Sequence, residues 1–181
     1  MRPRVYIDGH VGTTGLRIRE WMARRADVEL LTLPEELRKD TSARRERIVA
    51  ADLAVLCLPD DAARQAAQWA AAATTRIIDA STAHRVTAGW VYGLPELKTG
   101  QREAIRDAQC VATPGCYSSA FILLLRPLID AGVVAATASI TCHALSGYSG
   151  GGRQLIDKWE DARGGLGGLV YEAPYALDRV H

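Results

Sequence analysis

The chain has 181 residues, 48% hydrophobic and 24% charged, enough for one globular domain or a little more. Its 22 basic and 21 acidic residues nearly cancel, which excludes the long-range field that gathers nucleic acid or an anionic membrane surface. The opening residues run into β-rich sequence without the apolar stretch of a secretory signal. The longest apolar runs, such as 120–125, fall far below the roughly 18 residues of a membrane span. A cytoplasmic protein is expected, with no membrane and no nucleic acid among its partners. Its four cysteines, Cys57, Cys110, Cys116 and Cys142, form no Cys-x-x-Cys pair and are expected to be free thiols.

In chain order, Arg4–Asp8 reads as a strand, the following glycines as a turn, and 16–25 as a helix with apolar positions Leu16, Ile18, Trp21 and Met22. A second strand is predicted at 28–33, then a charged loop and helix over 35–47. The consecutive apolar residues of 53–58 mark a third strand closing at Pro59. The alanine-rich segment 60–73 predicts a helix with Asp60 or Asp61 as its N-cap, and Arg76–Asp79 a fourth strand. Strands alternating with helices at such short intervals specify a parallel sheet covered on both faces. The expected fold is α/β, a Rossmann-type doubly wound parallel sheet. Beyond it, Gln101–Asp107 predicts a helix, Cys110–Ala112 a strand, and 118–131 a helix that Pro127 bends or ends. Residues 133–145, rich in Val, Ala, Thr and Ile, predict a strand of a second sheet, and they lead into the glycine stretch 146–152. The expected organisation is a dinucleotide-binding domain over 1–115 followed by the start of an α+β catalytic and dimerisation domain over 116–181, interrupted at its C-terminal end.

Gly9-His10-Val11-Gly12-Thr13-Thr14-Gly15 lies between a predicted strand and a predicted helix. Glycine lets backbone approach a pyrophosphate, and the helix N-terminus offers free amides and a positive dipole end. Gly9, Gly12, Thr13, Thr14 and Gly15 are therefore candidates for cofactor binding, against the alternative of an ordinary β-to-α turn. The second strand ends in Leu31-Thr32-Leu33-Pro34 without the carboxylate that holds an NAD ribose, and Arg38-Lys39 follows. This leans towards NADP, with Arg38 as a candidate 2′-phosphate ligand or else part of a solvated face.

Thr113-Pro114-Gly115-Cys116-Tyr117-Ser118-Ser119 puts a cysteine after a Pro-Gly turn at the start of a helix. Amides at a helix N-terminus stabilise an anion there, the requirement for a nucleophilic thiolate. Cys57 and Cys110 lie in apolar strands and read as inert core. Cys142 beside His143 is the rival, although neighbours on a strand point to opposite faces.

These segments stand in order with Leu56-Cys57-Leu58-Pro59-Asp60-Asp61, Asp79-Ala80-Ser81-Thr82-Ala83-His84-Arg85, Tyr92-Gly93-Leu94-Pro95-Glu96-Leu97 and Ser146-Gly147-Tyr148-Ser149-Gly150. Together they resemble the short-form N-acetyl-gamma-glutamyl-phosphate reductases over essentially the whole chain. The resemblance implies NADPH-dependent reduction of N-acetyl-L-glutamyl 5-phosphate to the semialdehyde, with release of phosphate, in arginine biosynthesis. It makes Cys116 the nucleophile that forms a thioester, and it implies a homo-oligomer. It also implies a histidine of the second domain that holds or moves a proton, in a segment that begins at His181. The acid–base group is then His181 or its neighbour in that segment. Ser146, Tyr148, Ser149 and Arg153 are candidates for binding the substrate carboxylate or phosphate, against the alternative of a flexible loop. His10 and His84 read as local structure or ligand contacts. Rival readings are a semialdehyde dehydrogenase acting on another acyl phosphate, a nucleotide- or redox-sensing module in which Cys116 is a switch, and a zinc site of Cys110, Cys142 and His143.

Overall fold

The computed structural model describes residues 1–9 and 13–145. Strands β1 (Arg4–Asp8), β2 (Glu29–Leu31), β3 (Leu53–Leu56) and β4 (Arg76–Asp79) alternate with helices α1 (Thr13–Ala23), α2 (Thr41–Ala50) and α3 (Asp60–Ala71), a short 3-10 turn at Glu35–Leu37 preceding α2. Then come β5 (Val91–Tyr92), α4 (Gln101–Asp107), β6 (Cys110–Ala112) and α5 (Cys116–Asp130). All six strands pair in parallel, in the order β2-β1-β3-β4-β6-β5. The Rossmann-type doubly wound sheet is as the alternation predicts.

Strand periodicity distributes the core between two faces. Val5 and Ile7 of β1 and Val55 of β3 meet Ile18 and Met22 of α1 on one side. Tyr6, Ala54, Leu56 and Ile77 meet Ile48 of α2 and Ala66 and Ala70 of α3 on the other. The central strands are buried on both faces, which is why they read as continuous apolar runs. Buried Thr75, just before β4, donates its hydroxyl to the carbonyls of Ile48 and Ala51, both at 3.0 Å, closing the end of α2 onto the sheet.

Several boundaries differ from the sequence reading. α1 starts at Thr13, three residues before its first apolar position, and β2 and β3 are shorter than the apolar runs that contain them. The N-cap of α3 is Pro59, in extended conformation, because the Asp60 carboxylate accepts from the backbone and hydroxyl of Thr82, at 3.1 and 2.6 Å, and Asp61 pairs with Arg64. α5 continues through Pro127 to Asp130; the proline forfeits one N–H bond, to the carbonyl of Leu123, and the helix ends within the same turn. Strand β5 was not foreseen. Residues 133–145 form no strand and lie mostly exposed, since a strand needs a hydrogen-bonded neighbour and none among the described residues runs beside them. The glycine stretch 146–152 lies outside the described residues.

Candidate active site

Parallel strands bring their C-terminal ends to one edge, and a ligand crevice opens where the strand order reverses. Here that is between β1 and β3, since β2 lies to one side of β1 and every later strand to the other. β1 ends at Asp8 and turns at Gly9, whose φ is +84°. A Cβ at Gly9 would stand 2.1 Å from the carbonyl oxygen of Cys57, so both conformation and space require glycine. The early start of α1 makes Thr13, Thr14 and Gly15 its first turn, where amides have no partner within the helix. Gly15 is buried and Thr14 exposed. Gly12 and His10 lie outside the described residues. A glycine at the end of β1 and a helix N-terminus beside the crevice fit a dinucleotide pyrophosphate.

The turn is rooted in a buried ion pair. Arg44 of α2 donates to both carboxylate oxygens of Asp8, at 3.1 and 2.9 Å, and its guanidinium lies 5.3 Å from the ring of Trp69. At the end of β2 no carboxylate stands within Leu31-Thr32-Leu33. Arg38 ion-pairs with Glu35 at 2.8 Å, both largely exposed. Arg19 of α1, which sequence reasoning passed over, lines a small hollow with Thr32 and Leu33.

The cysteine turn is held more tightly than its sequence indicated. The Thr113 amide donates to the Asp79 carbonyl at 2.7 Å. Gly115 is the N-cap of α5, and Cys116, the first helical residue, is exposed. The Ser118 hydroxyl accepts from the Gly115 amide at 3.1 Å and donates to the Gly115 carbonyl at 3.0 Å. Tyr92 of β5 donates its phenol to the same hydroxyl at 3.0 Å. Arg85 donates to the Thr113 carbonyl at 3.1 Å and lies so close to Gly115 that a Cβ there would be 2.8 Å from its Nη1. A half-buried cation therefore rests against the residue that precedes Cys116.

Asp79 organises the loop that carries Arg85. Its fully buried carboxylate accepts from the Ser81 amide, at 3.0 Å, the Ser81 hydroxyl, at 2.7 Å, and His84 Nδ1, at 2.6 Å. The His84 ring stacks on Trp90 at 3.9 Å. His84 is thus local structure, and its bonds aim the next residue, Arg85, at the cysteine turn.

Cys116 and the glycine turn share one sheet edge, three strand intervals apart in the order β1-β3-β4-β6, or roughly 14 Å at ordinary spacing. Cys57 faces a different environment. Burial, with the Asp79 and Asp8 carboxylates nearby, pushes its thiol up from 9.0 to about 11, and burial raises that of Cys110. Neither is disposed to be a thiolate. Cys142 is exposed, and among the described residues no group of His, Cys, Asp and Glu could hold a metal ion, so Cys110, Cys142 and His143 are not brought together as a zinc site. Ser146, Tyr148, Ser149, Arg153 and His181 lie outside the described residues.

Comparison with known proteins agrees with this geometry. The family model described as semialdehyde dehydrogenase, NAD binding domain, matches residues 27–108, and the semialdehyde dehydrogenase dimerisation domain matches 116–164. N-acetyl-gamma-glutamyl-phosphate reductase of Mesorhizobium japonicum is 48% identical over 100% of the chain and 58% of its own length. That of Chelativorans sp. is 52% identical over 88% of the chain and 52% of its own length. Both family models describe semialdehyde dehydrogenase domains, and they match consecutive parts of the chain. The resemblance to N-acetyl-gamma-glutamyl-phosphate reductases carried by its motifs is borne out, and the chain spans a little over half the length of those curated relatives. The match over 27–108 is to a domain of the nicotinamide-cofactor-binding type. Aspartate semialdehyde dehydrogenase II of Vibrio cholerae matches with a TM-score of 0.64 at 18% identity, over 89% of the chain and 51% of that structure. The Francisella tularensis enzyme gives 0.64 at 17%, over 91% and 50%. At such identities the likeness is one of fold.

Proposed function

We propose that the protein reduces N-acetyl-L-glutamyl 5-phosphate to N-acetyl-L-glutamate 5-semialdehyde with NADPH, releasing phosphate, as a step of arginine biosynthesis. The observation that carries this reading is the exposed Cys116 at the first position of α5, on the same sheet edge as the Gly9 turn. The name shared by the relatives supports the substrate. The two domains are 1–115, which binds the dinucleotide, and 116–181, which belongs to the substrate-binding and subunit-contacting part.

Cys116 attacks the acyl-phosphate carbonyl carbon as thiolate, the C–O bond to phosphate breaks, and a thioester forms. Arg85, whose guanidinium lies beside Gly115, supplies the positive charge that stabilises the leaving phosphate. The cofactor supplies a hydride when bound. Gly9 and the first-turn amides of Thr13, Thr14 and Gly15, with Gly12, hold its pyrophosphate. Collapse of the thiohemiacetal releases the aldehyde and restores the Cys116 thiolate. His181, or its neighbour in that segment, holds or delivers the proton, and Ser146, Tyr148, Ser149 and Arg153 bind the rest of the substrate. NADP is the preferred cofactor because β2 ends without a carboxylate, and Arg38 and Arg19 are the cations near its ribose. The dimerisation-domain match supports a homo-oligomer. Among the described residues no helix is long and apolar enough to cross a membrane, and a cytoplasmic setting accords with the biosynthetic role.

The test is phosphate-dependent reduction of NADP with N-acetylglutamate semialdehyde, run beside NAD. C116S is expected to abolish it while leaving NADP binding nearly unchanged; equal activity in C116S would remove the mechanism.

A further inference from the structure

We propose that Tyr92 is a positioning residue for Cys116, acting through the hydroxyl of Ser118; this rests on the assignment of Cys116 as the nucleophile. Tyr92 is anchored to the sheet by its own backbone. It pairs in register with Ala112 of β6, the next amide, Gly93, donates to the Ala112 carbonyl at 2.8 Å, and its own carbonyl accepts from the side chain of buried Gln101. Its phenol crosses to Ser118, 26 residues further along the chain.

A serine hydroxyl has one proton to give and two lone pairs to offer. Ser118 spends its proton on the Gly115 carbonyl and one lone pair on the Gly115 amide. The other lone pair receives the Tyr92 phenol, so the phenol is the donor and the small buried hydroxyl is saturated. The Gly115 carbonyl also accepts from the amide and the hydroxyl of Ser119, at 2.9 and 2.8 Å. Both polar groups of the residue before Cys116 are therefore held. A side chain reaching back to the N-cap amide is ordinary capping, and such a cap moves with its helix. The Tyr92 bond ties this cap to the sheet that carries the cofactor crevice, and Arg85 restrains the same turn through Thr113. The Tyr-Gly-Leu-Pro-Glu segment thus acquires a role: β5 is a short strand that holds one phenol against the cap of α5.

The test compares Y92F, S118A and S118T with the wild type by the rate of Cys116 alkylation with iodoacetamide, by steady-state kinetics and by thermal midpoint. Y92F is expected to slow alkylation and lower kcat about threefold to tenfold, the effect of one hydrogen bond, with KM for NADP and the thermal midpoint unchanged. S118A shows at least that loss, and S118T, which keeps the hydroxyl, approaches the wild type. Wild-type alkylation and kcat in Y92F, or a loss that tracks a fall in thermal midpoint, would overturn the proposal. Alkylation needs no turnover, so a protein inactive as a reductase defeats the functional reading while still answering the positioning question.

Discussion

Gly9 and Cys57 meet so closely that a methyl group on Gly9 would lie 2.1 Å from the Cys57 carbonyl oxygen. The contact joins the end of β1 to the end of β3 at the mouth of the crevice. Gly9→Ala must leave φ +84° or push the two strands apart; the conformation alone costs about 1–2 kcal/mol. The expected result is a lower thermal midpoint and a loss of NADP binding in fluorescence titration. Unchanged NADP affinity in Gly9→Ala would show that the turn does not contact the cofactor.

The Asp8–Arg44 pair predicts an asymmetry between single and double substitutions. Both side chains are nearly buried, so Asp8→Ala leaves a guanidinium without its partner, at a cost of about 3–5 kcal/mol. Replacing both, as Asp8→Leu with Arg44→Met, removes the unpaired charge and costs less than Asp8→Ala alone. Urea unfolding midpoints of the wild type and the two variants provide the check; a double variant less stable than the single one would refute it.

The cysteines predict a pH effect of definite sign. Cys57 keeps its proton to about pH 11 in the folded state, whereas its ordinary value is 9.0. Between these values the folded protein binds more protons than the unfolded chain, so stability falls as pH rises through that window. C57A should flatten the decline of thermal midpoint across it. Near neutral pH, iodoacetamide should modify Cys116 well before Cys57 and Cys110, read by peptide mass spectrometry; labelling of Cys57 first would contradict the assignment.

What the sequence made legible was whatever depends on local pattern. β1, β4, α4 and β6 have the bounds read from composition, because strands buried on both faces and capped by turn residues carry their own signal. The start of α1 was misplaced because Thr13, Thr14 and Gly15 add no apolar residue to the helical period. β5 escaped notice because two residues show no periodicity, and it exists through its pairing with β6. Cys116 was singled out from its place after a Pro-Gly turn at a helix start, which the structure retains. Its restraints were not, since Arg85 and Tyr92 reach the turn from 28 and 26 residues away, and such separations leave no mark on spacing. The strand expected over 133–145 was read from β-propensity, which means little without a neighbour to pair with.

The most direct measurement is a single-turnover experiment with N-acetylglutamate semialdehyde and NADP in the absence of phosphate. The aldehyde adds to the Cys116 thiolate, hydride passes to NADP, and the acyl group remains on sulfur. The account predicts a burst of NADPH equal to the number of active sites, an N-acetylglutamyl adduct mapped to the peptide containing Cys116, and release of that adduct on addition of phosphate. NADPH formed without any adduct on Cys116, or an adduct on another cysteine, would contradict it.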